Sequence, residues 1–150
     1  MTSLKVLAEF KITSQPGNER KAVKQVAAIV AHLNLPANQI ERLKTAVAEA
    51  VMNAMEHGNH YEAHLPVEVE VVLDETAPQA HNLIVRIRDL GGSQDIPASE
   101  PPDLEAKLAG RQSPRGWGLF LIKNMVDEMR VMSDGFYHTV ELIFHLKGAA

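Results

Sequence analysis

Glu49, Asn53 and His57 recur at intervals of four in the run Ala46-Val47-Ala48-Glu49-Ala50-Val51-Met52-Asn53-Ala54-Met55-Glu56-His57-Gly58-Asn59. Alanine, methionine, glutamate and valine fill that run and no proline interrupts it, so its composition predicts a helix. On a helix the spacing sets a carboxylate, an amide and an imidazole on one face. They lie beside the apolar Leu43, Val47, Ala50 and Ala54. Polar side chains along the edge of a buried stripe are costly unless something satisfies them. A pocket holding a polar ligand is the economical arrangement. The three types also bring chemistry. A glutamate can act as base toward a hydroxyl or a water. An asparagine oxygen is a hard ligand suited to Mg²⁺, which keeps several waters and bridges phosphates.

Two further segments extend the constellation. In Arg88-Asp89-Leu90-Gly91-Gly92-Ser93 a strand ends in an acid and then in glycines. An aspartate at such a place, half-buried and able to accept a hydrogen bond, suits a purine amino group. In Arg115-Gly116-Trp117-Gly118-Leu119, glycines open the last long helix expected in the chain. Glycines there let a phosphate approach unpaired backbone N–H groups, and the helix dipole favours its charge. Neither a full G-x-G-x-x-G nor a glycine-rich loop ending in Lys-Ser/Thr is present. The conjunction of three segments, in this order on these elements, carries the reading.

The elements that must hold these groups are legible as periodicities. Leu4, Val6, Ala8, Phe10 and Ile12 alternate with polar residues as in a half-buried strand. Pro16-Gly17-Asn18 breaks it, and Asn18 suits the cap of the next helix. Ala22, Val23, Val26, Ala27, Val30 and Leu33 give that helix, which stops near Asn34-Leu35-Pro36. A second helix, from about Asn38 to Glu56, carries Glu49 and Asn53. Gly58 at its exit suits a left-handed cap. Strands at Val67–Leu73 and Leu83–Ile87 flank a polar loop from Asp74 to His81 and read as a hairpin. The proline-rich stretch from Gly91 to Arg115 is long for a loop inside a compact domain, and such loops are usually functional. Leu119, Ile122, Val126 and Met129 predict a third long helix. Val131, an Asp134-Gly135 turn and the alternating Val140, Leu142, Phe144 and Leu146 close the chain as a hairpin. This order predicts an α/β (α+β) two-layer sandwich, with a mainly antiparallel mixed sheet and three main helices on one face.

Composition bounds the alternatives. The chain has 150 residues, 45% of them hydrophobic, and a formal net charge of -4. That suits one domain with a real core and argues against nonspecific nucleic-acid binding, which needs a basic footprint. No cysteine is present, which excludes disulfides, thiolate metal sites and cysteine nucleophiles and suits a reducing cytoplasm. No apolar run approaches a membrane span, and the N-terminus lacks a signal-peptide core.

On these residues the chain resembles the anti-sigma-factor serine/threonine protein kinases. They form a branch of the histidine-kinase-like ATPase superfamily, with its Bergerat-type ATP-binding fold. Residues Glu49 to Gly58 are similar to the family's N box, and Arg88-Asp89-Leu90-Gly91 to its adenine-binding box. Arg115 to Ile122, followed by Met125-Val126-Asp127-Glu128-Met129, is similar to the last box and the helix after it. The Asp127-Glu128 pair is typical of the kinase branch. Nearly the whole chain is covered, as one ATPase domain with an ATP lid near residues 91–115.

The resemblance implies that Glu49 is the base toward a substrate serine or threonine and that Asn53 holds Mg²⁺. It implies that Asp89 accepts from the adenine amino group, with Gly91 leaving room for the ring. Gly116 and Gly118 would carry the lid over the phosphates, with Arg115 as a phosphate contact. His57, Ser93, Trp117 and Leu119 would lie along the ATP site. Ser93 departs from the superfamily's frequent Asp-x-Gly-x-Gly, and Gly92 beside it relieves the turn. Also implied are a STAS-domain anti-sigma-factor antagonist as substrate, a sigma factor as second client in a partner-switching system, and a homodimer.

Blander readings stand beside these. Glu49 and Asn53 could belong to a solvated helix face, and Asp89 to an ordinary turn. His57, His60 and His64 lack a clean ligand spacing and read as loop and pocket histidines. Trp117 either packs under the lid or anchors a partner. Met125, Met129 and Met132 read as core filler. The functional rivals are an ATP-binding module that sequesters a partner without catalysis, a two-component histidine kinase, and a histidine-based metal enzyme. The chain has no helical hairpin with a phosphoacceptor histidine for the second of these.

Overall fold

A computed structural model of the chain describes residues 3–78, 80–91 and 117–147, with the backbone alone at 117–119 and 147. Strand β1 (Leu4–Thr13) follows from the apolar alternation. A bulge between Val6 and Ala8 breaks that alternation: Leu4 and Val6 pair with Asp74 and Val72 and are exposed, whereas Ala8, Phe10 and Ile12 pair with the core residues Val71, Val69 and Val67, and only Ile12 is fully buried. The turn after it uses Gly17 at a φ of 94°, a backbone conformation that glycine adopts without strain. Asn18 sits at the N-cap position but does not cap the helix. Its Nδ2 donates back to the carbonyl of Thr13 (3.0 Å) and to Thr13 Oγ1 (2.8 Å), which ties the turn to β1.

Helix α1 (Glu19–Val30) buries Ala22, Val26 and Val30, one apolar stripe at successive turns. A 3-10 turn (Ala31–Leu33) and Asn34 at a φ of 54° lead to Pro36 and helix α2 (Ala37–Asn53). The inward stripe of α2 is Leu43, Ala46, Val47, Ala50 and Val51. Small alanines in that stripe let the helix approach the sheet closely. The helix then widens into a π turn, Ala54–Gly58.

Strands β2 (Pro66–Ala77) and β3 (Ala80–Asp89) run much closer together than the sequence suggested. Most of the expected polar loop from Asp74 to His81 is strand, because the ladder continues through Asp74↔Asn82 to Ala77↔Ala80. Helix α3 (Trp117–Met125) is shorter than its periodicity suggested. Met129 is not helical. The Asp127 N–H donates to the carbonyl of Ile143 (3.0 Å), and the Asp127 carboxylate accepts the His145 N–H (2.7 Å). Those two bonds start strand β4 (Glu128–Ser133), in which Met129 faces Leu142. Strand β5 (His138–Lys147) returns after a turn at Gly135. The Asp134 carboxylate accepts the N–H groups of Tyr137 and Phe136, which holds it below the ordinary carboxylate range.

The five strands form one sheet in the order β1-β2-β3-β5-β4, and every pairing is antiparallel, with no mixed segment. Helix α2 lies centrally, packed on α1 at one side and α3 at the other, so three helices cover one sheet face. Val67, Val69, Val71, Leu83, Val85, Ile87, Leu142 and Phe144 fill that interface. The opposite face carries Glu68, Glu70, Arg86, Arg88 and Glu141 beside an apolar row of Val72, Ile84 and Ile143. Among the described residues, no helix is long and apolar enough to cross a membrane.

Candidate functional site

Asp89 ends β3 on the helix-covered face, where it is 2% exposed. Burying a carboxylate costs unless donors satisfy it. Its Oδ1 accepts the Gly91 N–H at 2.7 Å, and its Oδ2 lies 3.0 Å from Nδ1 of His138, its register partner on β5. An ionised carboxylate offers about four lone-pair positions, so two bonds leave room for a ligand donor.

The backbone around this carboxylate is close enough to dictate residue types. A Cβ on Gly58 would fall 2.1 Å from Asp89 Cγ, and one on Gly91 would fall 2.9 Å from Gly58 Cα. Gly58 is therefore required for the approach of the α2 exit to Asp89. It is not the left-handed cap expected of it. The left-handed residues are His60 and Tyr61, with φ of 50° and 54°.

A second device, missed in the sequence, holds this corner together. Asn59 is fully buried. Its Nδ2 donates to Ser14 Oγ (3.0 Å) and to the carbonyls of Leu65 (3.2 Å) and Pro66 (3.1 Å). Its Oδ1 accepts the N–H of Leu90 (2.9 Å). One amide thus ties the end of β1, the start of β2, the π turn and the residue after Asp89. Its side chain is saturated, the condition under which a buried polar group rigidifies rather than destabilises. The only sequence signal was an asparagine beside a glycine at a helix exit. His138 was likewise invisible, because only the β3–β5 register brings it to Asp89.

Glu49 and Asn53 lie one turn apart on α2, both half-buried. His57 follows them beyond the end of α2. It sits in the π turn, which adds a residue per turn, and it is exposed. His60 and His64 are exposed as well, and His64 lies 3.6 Å from Glu62. Among the described residues no three histidines or acids are spaced to hold a metal ion. Ser93, Arg115 and Gly116 lie outside the described residues. Trp117, Gly118 and Leu119 are described as backbone, in the first turn of α3. The structure therefore brings together Asp89, Gly91, Gly58, Asn59 and His138, with Asn53 and Glu49 in sequence along the adjoining helix.

Comparison with known proteins shows the family to which the fold belongs. Residues 12–144 match the model of the histidine kinase-like ATPase domain. The anti-sigma F factor of Anoxybacillus flavithermus is 33% identical over 142 residues, covering 92% of this chain and 90% of its own. That of Bacillus thuringiensis is 32% identical, covering 94% and 92%. That of Oceanobacillus iheyensis is 34% identical over 117 residues, covering 77% and 75%. Among solved structures, the RsbU and RsbW domains of Rv1364c from Mycobacterium tuberculosis share the fold, with a TM-score of 0.62 at 19% identity. That match covers 95% of this chain, which spans only 34% of that longer one. The chain belongs to the histidine kinase-like ATPase family and, within it, to the anti-sigma-factor branch.

Proposed function

We propose that this protein is an ATP-dependent serine/threonine kinase and anti-sigma factor, which binds a sigma factor and phosphorylates its STAS-domain antagonist. The single observation that carries the nucleotide site is the buried Asp89 carboxylate. It is served by one backbone N–H and one imidazole, with a backbone cradle at Gly58 and Gly91 too tight for any Cβ. A carboxylate that accepts only these two hydrogen bonds among the described residues retains acceptor capacity, and an adenine amino group is a donor of the right kind.

The phosphate end follows from helix geometry. At about 1.5 Å per residue, Glu49 lies on the order of 13 Å along the helix from Gly58, with Asn53 between them. A nucleotide whose base is seated at Asp89 and which lies along α2 would bring its terminal phosphates toward Asn53 and Glu49. Asn53 would hold Mg²⁺ through its side-chain oxygen, and Arg115, Gly116 and Gly118 would enclose the phosphates. Mg-ATP supplies the transferable phosphoryl group and neutralises its charge when bound. The Glu49 carboxylate accepts the proton of the substrate hydroxyl and thereby activates the oxygen. Asp89 anchors the far end and fixes the orientation on which such transfer depends. The relatives' name, anti-sigma F factor, supports a sigma factor as one client. A homodimer and a cytoplasmic setting complete the proposal.

Incubation with γ-labelled ATP and a STAS-domain antagonist tests it. We expect label on a serine or threonine of the antagonist. We expect Glu49→Gln to abolish transfer while leaving ATP affinity within about threefold, the pattern of a group acting only in the chemical step. Tight ATP binding with no label on the antagonist or any other protein would favour a sequestering module without catalysis.

A further inference from the structure

His138 is placed by the β3–β5 register opposite Asp89, with its Nδ1 3.0 Å from Asp89 Oδ2. A carboxylate oxygen accepts, so the hydrogen shared in this contact sits on Nδ1. The other ring nitrogen, Nε2, is buried and has no hydrogen-bond partner among the described residues. Buried polar atoms are nearly always satisfied, and an exception calls for a reason. Here the ring gives up one nitrogen to present the other to Asp89.

The consequence concerns what Asp89 can recognise. Purines differ at position 6 by a donor or an acceptor, an amino group in adenine and a carbonyl in guanine. A carboxylate held by two N–H donors presents only acceptors to a base. A carboxyl free to turn, or to take up a proton, can donate to a carbonyl instead. The Gly91 N–H occupies Oδ1 and the imidazole occupies Oδ2, so each oxygen has a fixed donor and the carboxylate plane is set.

We propose that His138 is the positioning residue for base selection: its Nδ1–H holds Asp89 as a pure acceptor, so that the site takes 6-amino and rejects 6-oxo purine nucleotides. The inference rests on the nucleotide reading of Asp89. Rejection of a partner that leaves a buried polar group unpaired is large, and it depends on that group being unable to adapt.

The test is calorimetric titration of the full chain with Mg-ATP and Mg-GTP, comparing wild type, His138→Ala and His138→Asn, with thermal unfolding of each. The Asn side-chain amide nitrogen lies near the position of imidazole Nδ1 and donates, but it supplies nothing in place of Nε2. We expect wild type to prefer ATP, His138→Ala to lose at least tenfold in the ATP-to-GTP affinity ratio, and His138→Asn to recover most of that ratio. A ratio within twofold of wild type in His138→Ala, whatever the change in unfolding temperature, would overturn the proposal. So would loss of selectivity in His138→Asn equal to that in His138→Ala, because donation to Asp89 would then not be the cause. If wild type binds neither nucleotide, the reading of Asp89 itself fails; if it binds both without preference, only the role of His138 does.

Discussion

Asp89 and Glu141 are both buried carboxylates on neighbouring strands, one on each face of the sheet, and they are satisfied by opposite chemistry. Glu141, on the face away from the helices, accepts from Arg86 Nε at 2.6 Å, while Arg86 reaches Glu70 with its other arm at 2.7 Å. Hydrogen bonding to Glu141 leads the effects that raise Arg86 above its ordinary value, against the cost of its burial. Glu70 is lowered: burial pushes it up, but hydrogen bonds from Arg86 and Glu9 outweigh that. One guanidinium thus bridges two carboxylates, and Glu70 and Arg86 line a depression of about 310 Å³ on that face. Among the described residues no Lys or Arg pairs with Asp89. An N–H and an imidazole satisfy it enough to keep it buried and leave lone pairs for a ligand. A carboxylate closed by a guanidinium is a structural group, whereas one held by a backbone N–H and an imidazole keeps acceptor positions for recognition.

The sharpest way to break this contrast is Gly58→Ala. The new Cβ would lie 2.1 Å from Asp89 Cγ, so either the π turn or β3 must move. We expect a loss of about 3 kcal/mol in urea unfolding, together with loss of ATP binding. Full stability and affinity would show that the close approach is dispensable. Glu141→Gln is the counterpart on the other face. It leaves Arg86 with Glu70 and partly exposed, so we expect about 1–2 kcal/mol rather than the full cost of a broken buried pair. ATP affinity should stay at the wild-type level, and a matching loss of affinity would erase the distinction between the faces.

The smallest effect is a pH dependence. Glu9 faces Glu70 directly across β1 and β2. It is raised above the 4.5 of a free glutamate, first by hydrogen bonding to Glu70 and then by its charge. A group raised in the folded state contributes stability below its unfolded value and loses it as pH rises through the folded one. Glu9→Gln keeps a donor toward Glu70 without the charge. Its melting temperature at pH 7 should slightly exceed that of wild type, and the gap should close as pH falls below about 4. A gap that widens in acid would reverse the sign of this interaction.

Much of this was legible in the sequence for a physical reason. Burial repeats at the period of the element, so Ala22, Val26 and Val30, or Val140, Leu142 and Phe144, announce their own faces. Asp134-Gly135 announces its turn for the same local reason. Met129 misled because a helical stripe through Ile122 and Val126 happened to extend to it, whereas bonds from Asp127 to β5 end the helix at Met125. The π turn that holds His57 is not written in periodicity. Asp89 could be found by its place before glycines. Its partners could not, since His138 and Asn59 reach this corner through pairings 49 and 31 residues apart in sequence.

Calorimetric titration of Mg-ATP into wild type and Asp89→Asn is the most direct test of the nucleotide site. The amide keeps the shape but sets donor hydrogens where an acceptor is needed. We expect saturable binding to wild type, weakened by about a hundredfold in the variant, the equivalent of one charge-assisted hydrogen bond lost, with unfolding temperatures within a few degrees. Equal affinity in the two proteins would contradict the assignment of Asp89 as the base-recognising group.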